Sequence, residues 1–482
     1  MTPRVAIIGS GFGGLCMAIQ LERAGITSYT VFEKASGLGG TWRDNAYPGA
    51  GCDIPSHLYS YSFEKYASWS RRYPGQPEIL SYLDRCADKY GVRRKIRFGV
   101  EVVAADFTGR SWTLTTASGE EADFDAVVCA VGQLSLPRLP DIPGRDDFAG
   151  VSFHSARWDH GHDLTGRHVA VVGNGSSAAQ LIPDVAARAA RLDLYQRTPS
   201  WVIGKADAAF GPLTRMALHH VPGLQSAYRS WIYQYFEAAL WPAFAQGWSA
   251  GILRARARHH LRGSVADPVL RRKLTPEYPP GCKRILVDSG FYPALTRPNV
   301  EVVTDPIVRI TPDGLQTTAG TRRADTIVYA TGFRTTEFLA PIAVTGRDGS
   351  DLRERWREGA EAYLGISVPR FPNLFLLYGP NTNLGHNSIV FMIECQVRHI
   401  LNCLPLLGSH GPMEVREEVM AAYRRRLERA MAGMVWGREC GSWYKNAQGR
   451  ITNNWPARTA LYRRLTASPP LPAYRFVARS SH

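Results

Sequence analysis

The sequence predicts an α/β fold in which one unit, a buried strand followed by a glycine-rich turn and a helix, occurs twice. The first copy begins with the apolar run at residues 5–8, which enters Gly9-Ser-Gly-Phe-Gly-Gly14 and a segment with helical spacing. The second begins at residues 167–172 and enters Gly173-Asn-Gly-Ser-Ser-Ala178. A length of 482 residues with 45% apolar content predicts two or three domains with full-size cores.

Composition argues against several other classes of protein. The eight cysteines form no CxxC pair and no Cys/His cluster at zinc spacing, so neither a disulfide framework nor a metal site is expected. The apolar run at residue 5 is already a strand rather than a signal peptide, and a reducing cytoplasmic location is therefore predicted. Net charge is +15, but the basic residues are scattered and no recognition motif accompanies them, so nucleic-acid binding is not expected.

The first glycine-rich turn has the context that a dinucleotide site needs. Its glycines allow a tight turn and a close approach of backbone to a pyrophosphate, whose charge the helix N-terminus stabilises. Glu33 ends the next strand, 22 positions after Gly11, where a carboxylate can accept hydrogen bonds from ribose hydroxyls. We therefore predict that this unit binds FAD.

The second turn differs from the first at the residue that reads the ribose. Arg197 lies 22 positions after Gly175, where the first unit has Glu33, and Ala178 replaces the third glycine. The planar guanidinium of an arginine favours a 2′-phosphate, which predicts NADPH. The alternative is that Arg197 is a surface arginine with no role in binding. The second unit is therefore expected to be the NADPH site.

The remaining pattern predicts that the second unit is inserted into the first. Residues 76–91 have amphipathic helical spacing, residues 96–107, 112–116 and 125–131 favour strands, and three prolines at 137–143 mark a linker. A strand ending at Thr331-Gly-Phe333 repeats the pattern of residues 130–132, which indicates a return to the first unit. The predicted division is 1–145 and 335–482 for the FAD-binding domain, 146–204 and 276–334 for the NADPH-binding domain, and 205–275 for a helical insertion.

The insertion has an aromatic run from Tyr228 to Trp241, followed by a basic helix at residues 253–262. Pro242 and Gly247 interrupt the run, so it is not expected to span a membrane. Core packing, a substrate-pocket wall, a dimer interface and contact with a membrane surface all remain open interpretations.

Three further stretches contain residues that could take part in binding or catalysis. Asp53 follows a loop rich in glycine and tyrosine, and Lys283-Arg284 follow a proline-glycine turn. A turn-capping carboxylate and a solvated pair of cations are the simpler interpretations. Residues 148–159 connect the two units, and an ordinary interdomain loop would explain them equally well.

Together these stretches resemble the class B flavin monooxygenases, and within them the type I Baeyer-Villiger monooxygenases. The family pattern FxGxxxHxxxW(P/D) is matched by Phe148, Gly150, His154, Trp158 and Asp159. The pattern (A/G)GxWxxxx(F/Y)P(G/M)xxxD is matched by Gly39, Gly40, Trp42, Tyr47, Pro48, Gly49 and Asp53. Residues 445–456 depart from the segment of the best-known ketone oxygenases, which leaves the substrate open.

The resemblance implies an α/β fold with two Rossmann-like domains. It also implies that the protein is an NADPH-dependent monooxygenase, which inserts one oxygen atom of O₂ next to a ketone carbonyl through a C4a-peroxyflavin. The substrate would be a small apolar or amphipathic ketone. N- or S-oxygenation, or NADPH oxidation alone, are the alternatives. Arg284 resembles the family's catalytic arginine and Asp53 its partner, whereas Gly150, His154 and Trp158 are expected to couple the domains.

Cofactor contacts are expected from Gly9, Gly11, Phe12, Gly14, Glu33, Gly40, Thr41, Trp42, Asp53, Tyr59, Val103, Gly173, Asn174, Gly175, Ser176, Ser177, Gln180, Arg197, Thr198, Lys283 and Trp443.

Overall fold

The computed structural model describes residues 2–437 and 441–477. The strands are β1 Val5–Ile8, β2 Tyr29–Glu33, β3 Ile96–Phe98, β4 Val102–Phe107, β5 Trp112–Thr116, β6 Glu121–Phe124, β7 Ala126–Cys129, β8 Val151–His154, β9 His168–Val172, β10 Arg191–Tyr195, β11 Val202–Ile203, β12 Leu286–Val287, β13 Val300–Val303, β14 Ile307–Thr311, β15 Gly314–Thr317, β16 Gly320–Arg323, β17 Thr326–Tyr329, β18 Ala343–Thr345, β19 Leu374–Leu376, β20 Met413–Val415 and β21 Tyr474–Phe476.

The α-helices are α1 Phe12–Arg23, α2 Thr41–Asp44, α3 Gln76–Lys89, α4 Ser176–Arg188, α5 Pro212–His220, α6 Leu224–Tyr235, α7 Trp241–Phe244, α8 Ser249–Ser264, α9 Pro268–Lys273, α10 Phe291–Leu295, α11 Leu352–Arg355, α12 Ile389–His410, α13 Glu417–Ala432 and α14 Thr459–Leu465. A π-helical segment, Phe236–Leu240, joins α6 to α7.

Two parallel sheets with the same strand arrangement confirm the α/β fold. The first has the order β19-β7-β1-β2-β3 and the second β8-β17-β9-β10-β13. The strand that precedes each glycine-rich turn is central in its sheet, and the strands β1, β7 and β17 are buried along their whole length. One face of each sheet packs against helices and the other against an antiparallel meander, and burial of both faces explains these continuous apolar runs.

In each unit an antiparallel meander lies in the chain between two strands of the parallel sheet. Strands β4, β5 and β6 lead into β7, and β14, β15 and β16 lead into β17. The predicted strand at residues 96–107 is in fact two strands, because Gly99, with φ +70°, turns the chain between β3 and β4.

The predicted helix at residues 76–91 is confirmed as α3, which buries Ile79, Tyr82, Leu83 and Cys86 against the first sheet's core. The long helix α12 runs from Ile389 to His410. Within the described residues α12 is the one helix with the length and apolar composition of a membrane span. It packs in the core with α1, so packing inside the protein accounts for its composition.

The cysteines correct one expectation. Cys16, Cys52, Cys86, Cys129, Cys395 and Cys403 are buried free thiols. Cys282 is disulfide-bonded, which spacing along the sequence did not indicate because a disulfide depends on distance in the fold. Cys440 lies outside the described residues. The cytoplasmic location stays a prediction.

Candidate active site

A cavity of about 1560 Å³ lies between the two parallel-sheet units. The glycine-rich turns of both units reach it, and so do the loop that contains Asp53 and the turn that contains Arg284. Residues that are more than two hundred positions apart in the chain therefore line the same cavity. A cavity at the carboxyl ends of parallel strands is where α/β folds bind nucleotides.

The first glycine-rich turn fits a pyrophosphate. Gly9 has φ +102°, and a Cβ there would lie 2.7 Å from the carbonyl oxygen of Ala130. A Cβ on Gly14 would lie 1.8 Å from the carbonyl oxygen of Gly9, so this glycine is required by the turn itself. A Cβ on Gly11 would approach no protein atom closer than 3.6 Å. Packing therefore does not explain Gly11, whereas close approach of a bound phosphate does.

Glu33 ends β2 at the cavity, as the spacing predicts. Its Oε2 accepts hydrogen bonds from the backbone N–H (2.9 Å) and hydroxyl (2.7 Å) of Ser10, and its Oε1 accepts from the Ala35 N–H at 3.0 Å. These donors hold the carboxylate against the turn. Each carboxylate oxygen has two lone pairs, so the residue can also accept from a ribose hydroxyl.

The second glycine-rich turn repeats the geometry of the first. Gly173 has φ +103°, and a Cβ there would lie 2.5 Å from the carbonyl oxygen of Ala330. Gly175 precedes α4 and has no atom within 4 Å of the position that a Cβ would take. Asn174 is fixed by hydrogen bonds from its amide nitrogen to Gln196 Oε1 (3.1 Å) and the Thr198 carbonyl (2.9 Å). The free space at Gly175 again fits a ligand backbone at a helix N-terminus.

Beyond this turn, two cations lie together without a carboxylate partner among the described residues. Lys283 Nζ donates to Thr198 Oγ1 at 2.7 Å. Arg197 is exposed and lies just after the end of β10. Burial, and then the charge of Arg197, lower the pKa of Lys283. Arg197, Thr198 and Lys283 all line the cavity, which suits a phosphate group carrying more than one negative charge.

Asp53 and Arg284 form an ion pair at the centre of the cavity. Arg284 Nη2 lies 2.5 Å from Asp53 Oδ2, and the two side chains are 37% and 21% exposed. Trp42 lines the same cavity from α2 and donates from Nε1 to the Tyr59 hydroxyl at 3.0 Å. The arginine can therefore contact a molecule in the cavity while Asp53 holds its orientation.

The surroundings keep Arg284 charged. The Asp53 carboxylate raises the pKa of the guanidinium, while burial raises the pKa of Tyr378 and raises that of Tyr444 to about 12. Both tyrosines are thus neutral hydroxyls beside a permanent cation. A fixed cation in a partly water-excluded cavity can stabilise a negative charge that develops on a reacting oxygen.

The connecting stretch at residues 148–159 does not reach the cavity lining. His154 Nδ1 accepts from the Ala156 N–H at 3.1 Å, and Nε2 lies 3.0 Å from the Gly332 carbonyl, to which it donates. Burial lowers the pKa of His154. Trp158 packs on Phe153, and a Cβ on Gly150 would lie 2.6 Å from the Asp325 carbonyl. Both ring nitrogens of this neutral histidine are bonded to backbone, which argues against proton transfer, and its role in coupling the domains stays a prediction.

Gln180 also links the units. Its Nε2 donates to the Gly51 carbonyl and its Oε1 accepts from the Tyr47 hydroxyl, each at 2.9 Å, so the side chain joins α4 to the loop before Asp53. Gln180 lines the cavity, and its contact with a cofactor stays a prediction.

One predicted cofactor residue is not part of the cavity lining, and its contact with a cofactor stays a prediction. Val103 does not line the cavity, whereas its neighbour Val102 does. Successive side chains of β4 point to opposite faces, so a shift of one residue reverses the assignment. Gly14 is also absent from the lining, because its role is to let α1 pack against the turn.

The remaining predicted cofactor residues line the cavity, including Phe12, Gly40, Thr41, Ser176, Ser177 and Trp443. Sequence reasoning missed Ser10, which holds Glu33, and Gln133, which donates from Nε2 to the Tyr378 carbonyl at 2.9 Å. Gln133 follows the strand that closes on Gly132, and that position could have identified it.

Residues 6–223 match the family described as pyridine nucleotide-disulphide oxidoreductase. A Baeyer-Villiger monooxygenase of Streptomyces coelicolor is 42% identical over 479 residues, covering 98% of this chain and 92% of that protein. A Baeyer-Villiger monooxygenase of Pseudomonas aeruginosa is 41% identical over 478 residues, covering 98% and 91%.

Solved structures are similar over almost the whole chain. Oxidized steroid monooxygenase bound to NADP has a TM-score of 0.87 and 30% identity, with 99% of this chain and 100% of that chain covered. OTEMO in complex with FAD and NADP has a TM-score of 0.87 and 28% identity, with 97% of each chain covered. Cyclohexanone monooxygenase in its closed form has a TM-score of 0.86 and 29% identity, again with 97% of each covered.

Proposed function

The chain belongs to the Baeyer-Villiger monooxygenase family, and on this premise we propose that Arg284, oriented by Asp53, is its catalytic cation. The protein is an FAD- and NADPH-dependent monooxygenase that inserts one oxygen atom of O₂ next to a ketone carbonyl. The observation that carries the proposal is the Arg284–Asp53 ion pair facing the cavity between the two nucleotide units.

Bound FAD and NADPH supply the redox and oxygen-transfer chemistry, and the residues of the chain supply binding, orientation and charge. Gly11 and Gly175 admit phosphate groups at the N-termini of α1 and α4, and Glu33 accepts from a ribose. Arg197, Thr198 and Lys283 bind the 2′-phosphate that distinguishes NADPH from NADH.

Arg284 stabilises negative charge on the reacting oxygen atoms, and it must stay in place while the ketone enters. Asp53 accepts the charge-assisted hydrogen bond that fixes the guanidinium plane. Lysine would keep the charge but not the planar fork, so it is a poor substitute. The aromatic residues Trp443, Phe236 and Phe244 and the aliphatic Leu240 line the cavity and can exclude water around an apolar ketone.

Replacement of the arginine tests this role. Arg284→Ala should lower ester formation by about 100-fold or more, because one charge-stabilising group is lost, while reduction of bound FAD by NADPH continues. Flavin absorbance under anaerobic conditions measures reduction, and product analysis with ¹⁸O₂ measures ester or lactone. Arg284→Lys is the matched control and should recover little of the activity. Ester formation at a near-normal rate by Arg284→Ala would contradict the assignment.

We also propose the division of the chain into residues 1–145 and 335–482 for FAD, 146–204 and 276–334 for NADPH, and 205–275 for the insertion. Membership of the two parallel sheets supports it, since β13 and β17, which follow the insertion, join β8, β9 and β10 in the second sheet, and β19 returns to the first sheet. The substrate itself, a small apolar or amphipathic ketone, is a proposal that rests on the apolar part of the cavity wall.

A further inference from the structure

The helical insertion carries a large exposed surface whose residue types differ from the rest of the protein. We call it the insertion surface and define it by the exposed side chains of α6, of α8 and of Trp248, which precedes α8. Trp231 and Tyr235 of α6 line the same cavity as Arg256 of α8. Both helices therefore border the active-site cavity.

The apolar part of this surface is extensive. Leu224, Tyr228, Trp231 and Tyr235 recur at helical spacing along one face of α6. The Tyr228 and Trp231 rings are stacked with centroids 6.2 Å apart, and the Trp231 and Tyr235 rings are stacked with centroids 6.0 Å apart. The three side chains therefore form a continuous stack. Trp231 is 58% exposed, Trp248 is 68% exposed and Ile252, one turn after Trp248, is 58% exposed. Soluble proteins rarely expose a row of large apolar side chains without a partner.

The charged part is purely basic. Residues 208–266 contain six arginines and a single carboxylate, Glu237, which is buried. The exposed arginines of this stretch are Arg215, Arg254, Arg256, Arg258 and Arg262. None of them forms an ion pair with a described carboxylate. The insertion surface therefore has positive charge that no described carboxylate neutralises in an ion pair.

We propose that the insertion surface binds the face of an anionic phospholipid bilayer. Arginines attract the headgroups, and exposed tryptophan, tyrosine and isoleucine side chains enter the boundary between headgroups and acyl chains. Attachment is peripheral, because the one described helix with the composition of a span, α12, is packed inside the protein. The net charge of +15 adds a general attraction to the same surface.

Two other occupants fit less well. A second copy of the chain in a two-fold contact would place unpaired arginines against unpaired arginines, and no exposed carboxylate in residues 208–266 would compensate them. A nucleic acid would attract the arginines but would leave Trp248 and Ile252 against a polar, charged backbone. A bilayer offers hydrocarbon to the apolar side chains and anionic headgroups to the arginines.

Bilayer contact would also place the cavity mouth at the lipid surface, because Trp231 and Tyr235 belong to both. An apolar ketone dissolved in the membrane would then reach Arg284 without crossing water. This consequence rests on the proposed function, whereas binding to the bilayer does not.

The proposal is tested by sedimentation of the full-length, FAD-loaded protein with two kinds of vesicle, pure phosphatidylcholine and equal parts phosphatidylcholine and phosphatidylglycerol. We expect binding to the anionic vesicles only, weakened at high salt. The double variant Arg254→Gln/Arg258→Gln should lower the partition coefficient about tenfold or more, and Trp248→Ser/Ile252→Ser by a similar factor. None of these four residues lines the cavity, so flavin absorbance and oxidation of a water-soluble ketone should not change.

The matched control is Val308→Ser/Leu471→Ser, which removes side chains that are 47% and 51% exposed on other elements and should bind like the parent. Absence of binding to anionic vesicles, equal binding to both vesicles, or equal loss in the control would overturn the proposal. It would also be overturned if sedimentation velocity without lipid showed a dimer that the insertion variants dissociate. A protein that binds vesicles but forms no ester would contradict the proposed function and leave this inference standing.

Discussion

The central pair, Arg284 and Asp53, joins residues that are 231 positions apart in the chain. Both side chains are partly exposed, so the pair contributes little to stability, at most about 1 kcal/mol after solvent screening. Its value lies in orientation, because the carboxylate fixes the guanidinium plane toward the cavity. The pair is therefore better explained by chemistry than by folding.

Lys283 leads to a prediction about pH. Burial and Arg197 lower its pKa in the free protein, and a bound 2′-phosphate should raise it because opposite charges favour the protonated form. NADP⁺ affinity should then be highest below the free-protein pKa and fall as pH rises through it, by about tenfold once the lysine is neutral. Titration calorimetry with NADP⁺ between about pH 7 and about pH 10 measures this.

The matched control for this pH effect is Lys283→Arg, in which the cation does not titrate and the slope should disappear. NAD⁺, which lacks the 2′-phosphate, should show little of the slope with the parent protein. A slope of equal size with NAD⁺ would mean that Lys283 does not contact the phosphate.

At the level of elements, the two glycine-rich turns use their glycines for different purposes. The first glycine of each turn is needed by the fold, since a Cβ would meet the carbonyl of Ala130 or Ala330. The second, Gly11 or Gly175, has free space where a Cβ would be. The same turn therefore contains one position that serves stability and one that serves the ligand.

This difference predicts opposite results for two alanine substitutions. Gly173→Ala should lower the free energy of unfolding by about 2 kcal/mol, because φ is +103° and the Cβ would lie 2.5 Å from Ala330 O. Gly175→Ala should change stability by less than about 1 kcal/mol but weaken NADP⁺ binding about tenfold or more. Thermal unfolding and calorimetry separate the effects, and a Gly175→Ala protein with normal affinity would count against the phosphate site.

The π-helical segment of the insertion is tied to the rest of the protein by a buried carboxylate. Glu237 Oε1 accepts hydrogen bonds from His386 Nε2 (3.1 Å), Asn387 Nδ2 (3.0 Å) and Thr459 Oγ1 (2.6 Å). Burial alone would raise the pKa of Glu237, but His386 and the other donors outweigh it and the pKa is lowered. This cluster fixes the junction between α6 and α7 against α14 and the turn before α12.

Stability should therefore depend on the charge of Glu237. Its pKa is depressed in the folded protein, so the stabilisation is present above the unfolded-state pKa and is lost as pH falls through the folded-state pKa. Glu237→Gln should lower the free energy of unfolding by about 2 kcal/mol near neutral pH and by much less in acid. Thermal midpoints across pH measure this, with exposed Glu358→Gln as the control; a deficit that does not depend on pH would contradict the charge argument.

At the scale of the whole molecule, the two nucleotide units must move or hold position together for NADPH and FAD to meet. His154 ends β8, beside β17, and donates to the Gly332 carbonyl, which also accepts from the N–H of Arg138 in the first unit. Gln180 makes a second connection through the loop at residues 47–51. These contacts give a physical basis for coupling without placing either residue at the reacting atoms.

Removal of His154 should disturb this coupling. His154→Ala leaves the Ala156 N–H without its partner and removes one of the two donors to the Gly332 carbonyl, and kcat/KM for NADPH should fall about tenfold while FAD content is unchanged. Stopped-flow flavin reduction and the absorbance ratio of flavin to protein measure the two quantities. Exposed His160→Ala is the control, and a His154 variant that only lost FAD would refute the coupling role.

Local patterns in the sequence were enough to predict the strand-turn-helix units, the insertion of one unit into the other and most of the cavity lining. Glycines at required φ angles, apolar strands and the acid or base at a fixed spacing act over short stretches, so each can be recognised without tertiary contacts. Sequence patterns could not show that Val102 rather than Val103 lines the cavity, because the face of β4 depends on its register against β5 and β18.

The sequence by itself determined the fold class, the two nucleotide sites and, through family resemblance, the identity of Arg284 and Asp53 as partners. Only the tertiary structure decided that their side chains meet at 2.5 Å, that Cys282 is disulfide-bonded, and that Trp231 and Trp248 stay exposed while Phe236 is buried. The physical reason is that distance, burial and solvent exposure arise from contacts between distant parts of the chain, which periodicity and spacing do not encode.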